Sequence, residues 1–82
     1  MLKYSHYNER EVKFMNKIPV RSYSSYEMIK IIEADGWRLK NTEGDHYHFI
    51  HPTKPGKVTI THPVKNLPKK RVASILKQAG LR

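Results

Sequence analysis

Two neighbouring stretches of the chain constrain its fold more than any other feature. In the later stretch, about residues 57–62, Val58 and Ile60 fall on one face and polar side chains fall on the other. This alternation is typical of a strand with one buried face. The earlier stretch covers about residues 46–51, and a loop of turn-forming residues at 52–56 joins the two. The sequence therefore predicts a β-hairpin, whose apolar face the rest of the chain must cover.

One helix is predicted on each side of this hairpin. Ser24 and Glu27 fit a capping box at the start of the first helix, and Gly36 can end it in the left-handed conformation. The second helix begins near residues 66–68, where a proline is tolerated, and ends at Gly80. Its apolar residues recur at i, i+3, i+4 and i+7, and they are Val72, Ile75, Leu76 and Ala79.

A short strand at residues 37–40 and a turn at residues 41–44 connect the first helix to the hairpin. The predicted order is α-β-β-β-α, an α+β fold. Two helices would pack on one face of a three-stranded antiparallel sheet and leave the other face to solvent. Residues 1–22 keep no clear period and contain Pro19. They are predicted to be an N-terminal arm, flexible or loosely docked, on a domain of residues 23–82.

Size and charge limit what such a chain can bind. A domain of 82 residues buries only about 60% of its unfolded surface, so an active site should be a shallow feature suited to a polymer. The net charge is +9; all seven carboxylates lie at or before Asp45, whereas residues 46–82 carry eight Lys and Arg. This distribution predicts a nucleic acid, an anionic membrane or an acidic protein as partner, or else only a well-solvated surface.

The composition also argues against several kinds of site. The chain has no cysteine, which excludes disulfides and thiolate metal ligands. Its longest apolar runs are only a few residues, so neither a signal peptide nor a transmembrane span is predicted, and a cytoplasmic protein is expected.

Four of the five histidines lie within residues 44–63, and strand alternation divides them between two faces. If the apolar residues face the core, His51 and His62 point inward, and both are predicted to hydrogen-bond locally as structural residues. His46 and His48 point to the open face, where either an inert or a catalytic role is possible. The cationic surroundings favour a neutral imidazole that can accept a proton near neutral pH, although the adjacent aspartate acts against this.

The His46-x-His48 pair could also supply two zinc ligands from one strand face. Two further ligands would have to come from the remaining candidates, which are Glu43, Asp45, His51 and His62. The facing argument sends two of these candidates inward, so no metal site is predicted.

Several short motifs follow one another along the chain in a specific order. They are Ser25-Tyr26-Glu27-Met28-Ile29-Lys30, Gly36-Trp37, Gly44-Asp45-His46-Tyr47-His48-Phe49, His51-Pro52-Thr53-Lys54, Gly56-Lys57-Val58-Thr59, His62-Pro63, Leu67-Pro68 and Ser74-Ile75-Leu76-Lys77-Gln78-Ala79-Gly80-Leu81. Their order and spacing together resemble the HicA toxins, also called YcfA-like mRNA interferases. The resemblance covers residues 24–82.

The resemblance implies a double-stranded-RNA-binding-domain-like fold and ribonuclease activity on mRNA without a metal or organic cofactor. It also implies a cognate HicB-like antitoxin, and by position it makes His46 the catalytic histidine. Two residues depart from the family pattern. Asp45 stands where the family usually has a serine, and Tyr47 stands where a second histidine is common.

The main hypothesis is therefore RNA cleavage, in which His46 takes the proton of a ribose 2′-hydroxyl and His48 is the general acid for the 5′-oxygen. The residues predicted to bind RNA are Lys40, Gly44, Lys54, Lys57, Lys69, Lys70 and Arg71. An alternative is a non-catalytic RNA-binding module of the same fold. A third hypothesis, compatible with the first, is that the cationic face mainly docks an acidic antitoxin that covers His46.

Overall fold

The computed structural model describes residues 18–82. Helix α1 spans Ser25–Ala34, strands β1, β2 and β3 span Arg38–Glu43, His46–Ile50 and Val58–Thr61, and helix α2 spans Lys69–Gln78. The predicted order α-β-β-β-α and the α+β class are therefore confirmed.

Local signals in the sequence set the ends of helix α1. Ser24 Oγ accepts a hydrogen bond from the Glu27 N–H at 3.0 Å, and Glu27 Oε1 accepts one from the Ser24 N–H at 2.9 Å. These two bonds are the predicted capping box. At the other end Gly36 has a φ of 103°, a conformation open to glycine, and the chain turns there towards β1.

The three strands form one antiparallel sheet in the order β1-β2-β3. Phe49 lies opposite Val58 and Tyr47 lies opposite Ile60, so these four side chains share the face covered by the helices. The core on this face comprises Met28 and Ile32 of α1, Trp37, Phe49, Val58 and Ile60 of the sheet region, and Val72, Ile75 and Leu76 of α2. The opposite face carries the polar residues of the hairpin.

Strand β1 is longer than predicted, and the expected turn at residues 41–44 is wrong. Residues 41–43 pair with β2, and the turn contains only Gly44 and Asp45. Gly44 has a φ of 60°, and a glycine in the first position suits a two-residue hairpin loop. The extra pairing places Glu43 directly opposite His46.

A cluster of hydrogen bonds joins the β2–β3 loop to the C-terminal ends of both helices. Lys54 Nζ donates to Asp35 Oδ2 at 2.5 Å and to the Ala79 carbonyl at 2.9 Å. Trp37 Nε1 donates to the same Ala79 carbonyl at 3.2 Å, and His51 Nε2 donates to the Asp35 carbonyl at 2.7 Å. A cation at helix C-terminal ends is favoured by the helix dipoles, so Lys54 stabilises this corner of the domain.

The predicted N-terminal arm, residues 1–22, lies outside the described residues except for its last five. Ile18 and Val20 are partly buried against the core. The Tyr23 hydroxyl donates to the Pro19 carbonyl at 2.8 Å, and Ser22 Oγ donates to the Leu67 carbonyl at 2.8 Å. Residues 18–22 are therefore docked on the domain.

Candidate active site

His46 is the first residue of β2 and directly follows the Gly44–Asp45 turn. Its side chain is 56% exposed, and its nearest charged neighbour is Asp45, whose Oδ1 lies 3.7 Å from His46 Nε2. That separation is too long for a hydrogen bond. Among residues 18–82, the His46 ring has no hydrogen-bond partner, so both of its nitrogens are available to a substrate.

His48 is buried, and the prediction that it would be exposed is wrong. Only 7% of the residue is accessible, although it points away from the helices. Its Nε2 lies 2.7 Å from Glu43 Oε1 on β1, and its Nδ1 lies 2.8 Å from Thr59 Oγ1 on β3. The ring is covered because it sits on the central strand with a partner on each side. Both ring nitrogens are occupied, so the predicted general-acid role of His48 lacks a free N–H.

Glu43 is bonded to the buried histidine and lies opposite the exposed one in the sheet. Its hydrogen bond from His48, and then the charge of that ring, hold the pKa of Glu43 below its usual value; Lys57 and His46 lower it further, while desolvation opposes them. Residues directly opposite in an antiparallel pair share a face, so the Glu43 and His46 side chains lie on the same face of the sheet. The site therefore contains an ionised carboxylate on the same face as an open imidazole.

His51 and His62 make the structural hydrogen bonds predicted for them. His51 Nδ1 accepts the backbone N–H groups of two loop residues, each at 3.1 Å. His62 Nδ1 lies 2.6 Å from Ser25 Oγ, and its ring packs edge-on against Tyr47 with the centroids 4.9 Å apart. These contacts leave His46 as the histidine of residues 18–82 best placed to meet a ligand.

Two of the cations predicted to bind RNA are exposed on or beside the strands of the sheet. Lys40 is the extra residue of a β-bulge between Leu39 and Asn41, and Lys57 immediately precedes β3. Next to His46, Gly44 has open space, since a Cβ added there would meet nothing within 4 Å. A third group is exposed in the first turn of α2 and consists of Lys69, Lys70 and Arg71.

Lys54 is the exception among these predicted RNA contacts. Its ammonium group is bound to the Asp35 carboxylate and to the Ala79 carbonyl, and its side chain is only 32% exposed. The loop residue expected to contact phosphate is instead held in the structural cluster at the helix ends. In this structure Lys54 is not a free cation.

The described residues show no feature of a metal centre or a membrane span. Within residues 18–82, no three His, Asp or Glu side chains are grouped so that they could hold a metal ion. Neither helix in this part of the chain is both long and apolar enough to cross a bilayer.

Sequence reasoning missed the network around His48. The alternation of its strand predicts only a polar face for Thr59, and the sequence indicates Glu43 only as a possible zinc ligand. The register of the sheet gives both residues a place in the network, because it pairs Thr59 with His48 and Glu43 with His46. That register depends on the length of β1, which no local pattern in the sequence marks.

Comparison with known proteins agrees with the geometry of the fold. Residues 25–81 match the family described as "HicA toxin of bacterial toxin-antitoxin". No curated protein matches the chain. The family match spans both helices and all three strands, and it includes every residue of the site around His46. The chain therefore belongs to the HicA toxin family of bacterial toxin–antitoxin systems.

Proposed function

We propose that this protein is a metal-independent endoribonuclease that cleaves mRNA, with His46 as the general base. The observation that carries the proposal is the open imidazole of His46, whose side chain is 56% exposed. The resemblance to the HicA toxins implies that this residue is the catalytic histidine. The membership in a toxin–antitoxin family supports the same activity.

RNA supplies its own nucleophile, the 2′-hydroxyl beside each phosphate. Neutral His46 would take the proton of this hydroxyl as the 2′-oxygen bonds to phosphorus. The bond from phosphorus to the 5′-oxygen then breaks, and the leaving oxygen takes a proton from water. The imidazolium gives its proton to the hydroxide so formed, which restores neutral His46. The products are a 2′,3′-cyclic phosphate and a 5′-hydroxyl. A positioned base of this kind typically contributes about 10²- to 10⁴-fold to the rate.

Lys40 and Lys57 would hold the RNA against this site. Both are exposed, and Lys57 is close enough to Glu43 to lower the pKa of its carboxyl. Cations near a reacting phosphate stabilise the extra charge of its transition state. The three cations of the first turn of α2 would bind phosphates further along the RNA. This binding is independent of sequence, because lysine and arginine contacts to phosphate read no base edge.

The proposal is tested by incubating purified wild-type protein and a His46→Ala variant with mRNA in the presence of EDTA. We expect wild type to cleave and His46→Ala to be slower by about 10²- to 10⁴-fold. Ile50→Ala is the matched control, because Ile50 is an exposed residue on the same strand and face, and it should keep full activity. Equal cleavage by wild type and His46→Ala would remove His46 from the mechanism.

A non-catalytic RNA-binding module is the second candidate, and Asp45 is the observation that favours it. The Asp45 carboxylate lies 3.7 Å from His46 Nε2, where it repels an approaching phosphate. Salt-sensitive RNA binding without cleaved product, in wild type and in Asp45→Ser alike, would support this candidate over the nuclease.

We also propose that a small acidic antitoxin of the HicB type binds the cationic face and covers His46. The net charge of +9 favours an acidic partner. Co-expression with such a partner should relieve growth arrest and yield a complex that purifies together. A complex in which RNA cleavage persists unchanged would argue against coverage of His46.

A further inference from the structure

We propose that Glu43 is a positioning residue for His46, fixed by His48 and Thr59 so that its carboxylate stabilises the imidazolium formed when His46 accepts a proton. This inference rests on the proposed function and deepens it. It gives a role to the buried polar network of the open face, which the cleavage mechanism does not otherwise use.

The network crosses all three strands of the sheet. Thr59 Oγ1 on β3 lies 2.8 Å from His48 Nδ1, and His48 Nε2 lies 2.7 Å from Glu43 Oε1 on β1. In either protonation state of the ring, Nε2–H donates a hydrogen bond to the carboxylate. Nδ1 accepts a hydrogen bond from the Thr59 hydroxyl when the ring is neutral and donates one to it when the ring is charged. Because the His48 side chain is only 9% exposed, the group that holds Glu43 is itself held by packing.

The far end of this network lies on the same face of the sheet as His46. Glu43 and His46 are directly opposite each other in the β1–β2 pair, so their side chains share a face with Cβ atoms about 5 Å apart. The effect of His46 and Lys57 on the pKa of Glu43 agrees with this closeness. A carboxylate held in place before the reaction can stabilise a developing charge without a further cost of ordering.

Other charged groups around His46 are less well placed for this role. Asp45 is nearer, with Oδ1 3.7 Å from His46 Nε2, and both carboxylates are largely exposed, 65% for Asp45 and 72% for Glu43. Within residues 18–82, however, the Asp45 side chain has no hydrogen bond to another residue, whereas Glu43 is bound to the buried His48. Lys57 and Lys40 carry the wrong charge to stabilise an imidazolium. The helices pack on the opposite face of the sheet and bring no charge to this side. Glu43 is therefore the carboxylate whose position is fixed.

His46 takes the proton from the 2′-hydroxyl and becomes an imidazolium, while Glu43 stays ionised and gains no proton. The 2′-oxygen–phosphorus bond forms and the bond to the 5′-oxygen breaks, as in the proposed mechanism. In this step Glu43 takes no part in the proton transfer and acts only through His46.

The test compares kcat and KM of wild type and Glu43→Gln on one RNA oligonucleotide. Removing a negative charge from the RNA-facing side strengthens RNA binding, so KM should fall. Losing the carboxylate weakens the support of the imidazolium, so kcat should also fall, by about two- to fivefold for an exposed pair. The acidic limb of the kcat profile should move to lower pH, because His46 loses its proton more readily without the carboxylate.

Two further variants isolate the role of Glu43. Glu33→Gln is the matched control, since Glu33 is an exposed carboxylate on α1, in the helical layer, and kcat should remain at the wild-type value. Glu43→Asp keeps the charge but shortens the side chain, so KM should stay near wild type while kcat falls. A wild-type kcat in both Glu43 variants would overturn the inference.

If the Glu43 variants do not fold, Thr59→Val tests the same inference, because it removes only the hydroxyl that holds His48. It should lower kcat in the same direction, and an unchanged kcat would overturn the inference. The outcome remains distinct from that of the proposed function. If His46→Ala cleaves like wild type, the proposed function fails; if His46→Ala is inactive while the Glu43 and Thr59 variants keep full kcat and an unshifted pH profile, only this inference fails.

Discussion

At the scale of single residues, the hairpin shows that the exposure of a histidine depends on its neighbouring side chains more than on the face of the strand to which it points. His46 and His48 point to the same face only two residues apart, yet one is open and the other is 7% accessible. The difference arises because His48 has a hydrogen-bonding side chain on each adjacent strand. Burial of a polar ring is tolerated when both of its nitrogens are satisfied, and here they are.

The Glu43–His48 contact should make stability depend on pH. The pKa of Glu43 is lowered in the folded state, so its contribution to stability is present above the unfolded value of about 4.3 and is lost as pH falls through the lower folded value. Glu43→Gln removes that contribution. We expect thermal unfolding followed by circular dichroism to show a lower Tm for the variant near neutral pH, and a difference that shrinks below about pH 4.

A double-mutant cycle with His48→Leu supplies the control for this effect. Leucine is of similar size and can neither donate nor accept a hydrogen bond, so Glu43 loses the partner that lowers its pKa most. In the His48→Leu background, Glu43→Gln should change Tm little at any pH. A pH-dependent difference that persists there would assign the effect to charges other than His48.

At the scale of elements, features that depend on residues close in sequence could be predicted. Features that depend on pairing between distant residues could not. The capping box of α1 and the apolar stripe of α2 each depend on residues within a few positions of one another, and both were predicted correctly. The length of β1 depends on hydrogen bonds to β2, and all six of its residues are exposed, so no burial pattern marks it in the sequence. The partners of Lys54 likewise lie 19 and 25 residues away, beyond the reach of local patterns.

The corner where the β2–β3 loop meets the helix ends should be sensitive to a single methyl group at Gly36. A Cβ there would lie 2.8 Å from His51 Nε2, which is held by the Asp35 carbonyl, and the φ of 103° strains any other residue. Gly36→Ala should therefore lower the free energy of unfolding by about 2–4 kcal/mol in chemical denaturation.

Gly56→Ala separates the steric clash from the backbone strain. Gly56 also has a positive φ, 81°, but an added Cβ meets nothing within 4 Å. Its substitution should cost only about 1–2 kcal/mol, the strain of a left-handed residue. Equal losses in the two variants would mean that His51 moves aside without cost, and that the cluster at the helix ends is less rigid than its hydrogen bonds indicate.

At the scale of the whole molecule, the positive charges at the start of α2 favour the binding of an anion but destabilise the helix. The first turn of α2 carries three cations and no acidic residue, although the N-terminal end of a helix dipole favours negative charge. Lys77 in the last turn of the same helix is favourably placed. A cluster that opposes the dipole, in a chain of net charge +9, is explained by an anionic partner better than by folding.

Removing the cations at the start of α2 should weaken RNA binding and raise the stability of the fold. Lys69→Gln with Lys70→Gln, made in the His46→Ala background so that the RNA stays intact, should raise Tm because two charges that oppose the dipole are removed. Each lost phosphate contact should reduce the slope of log K against log salt by about 0.7, so the pair should reduce it by about 1.4. The slope is measured by fluorescence anisotropy of a labelled single-stranded RNA over a salt series.

The control is Lys77→Gln with Arg82→Gln, which removes the same charge near the other end of α2. This pair should lower Tm and leave the slope nearly unchanged. If both pairs reduce the slope equally, the RNA senses only the total charge of the protein, and the start of α2 is not a binding site.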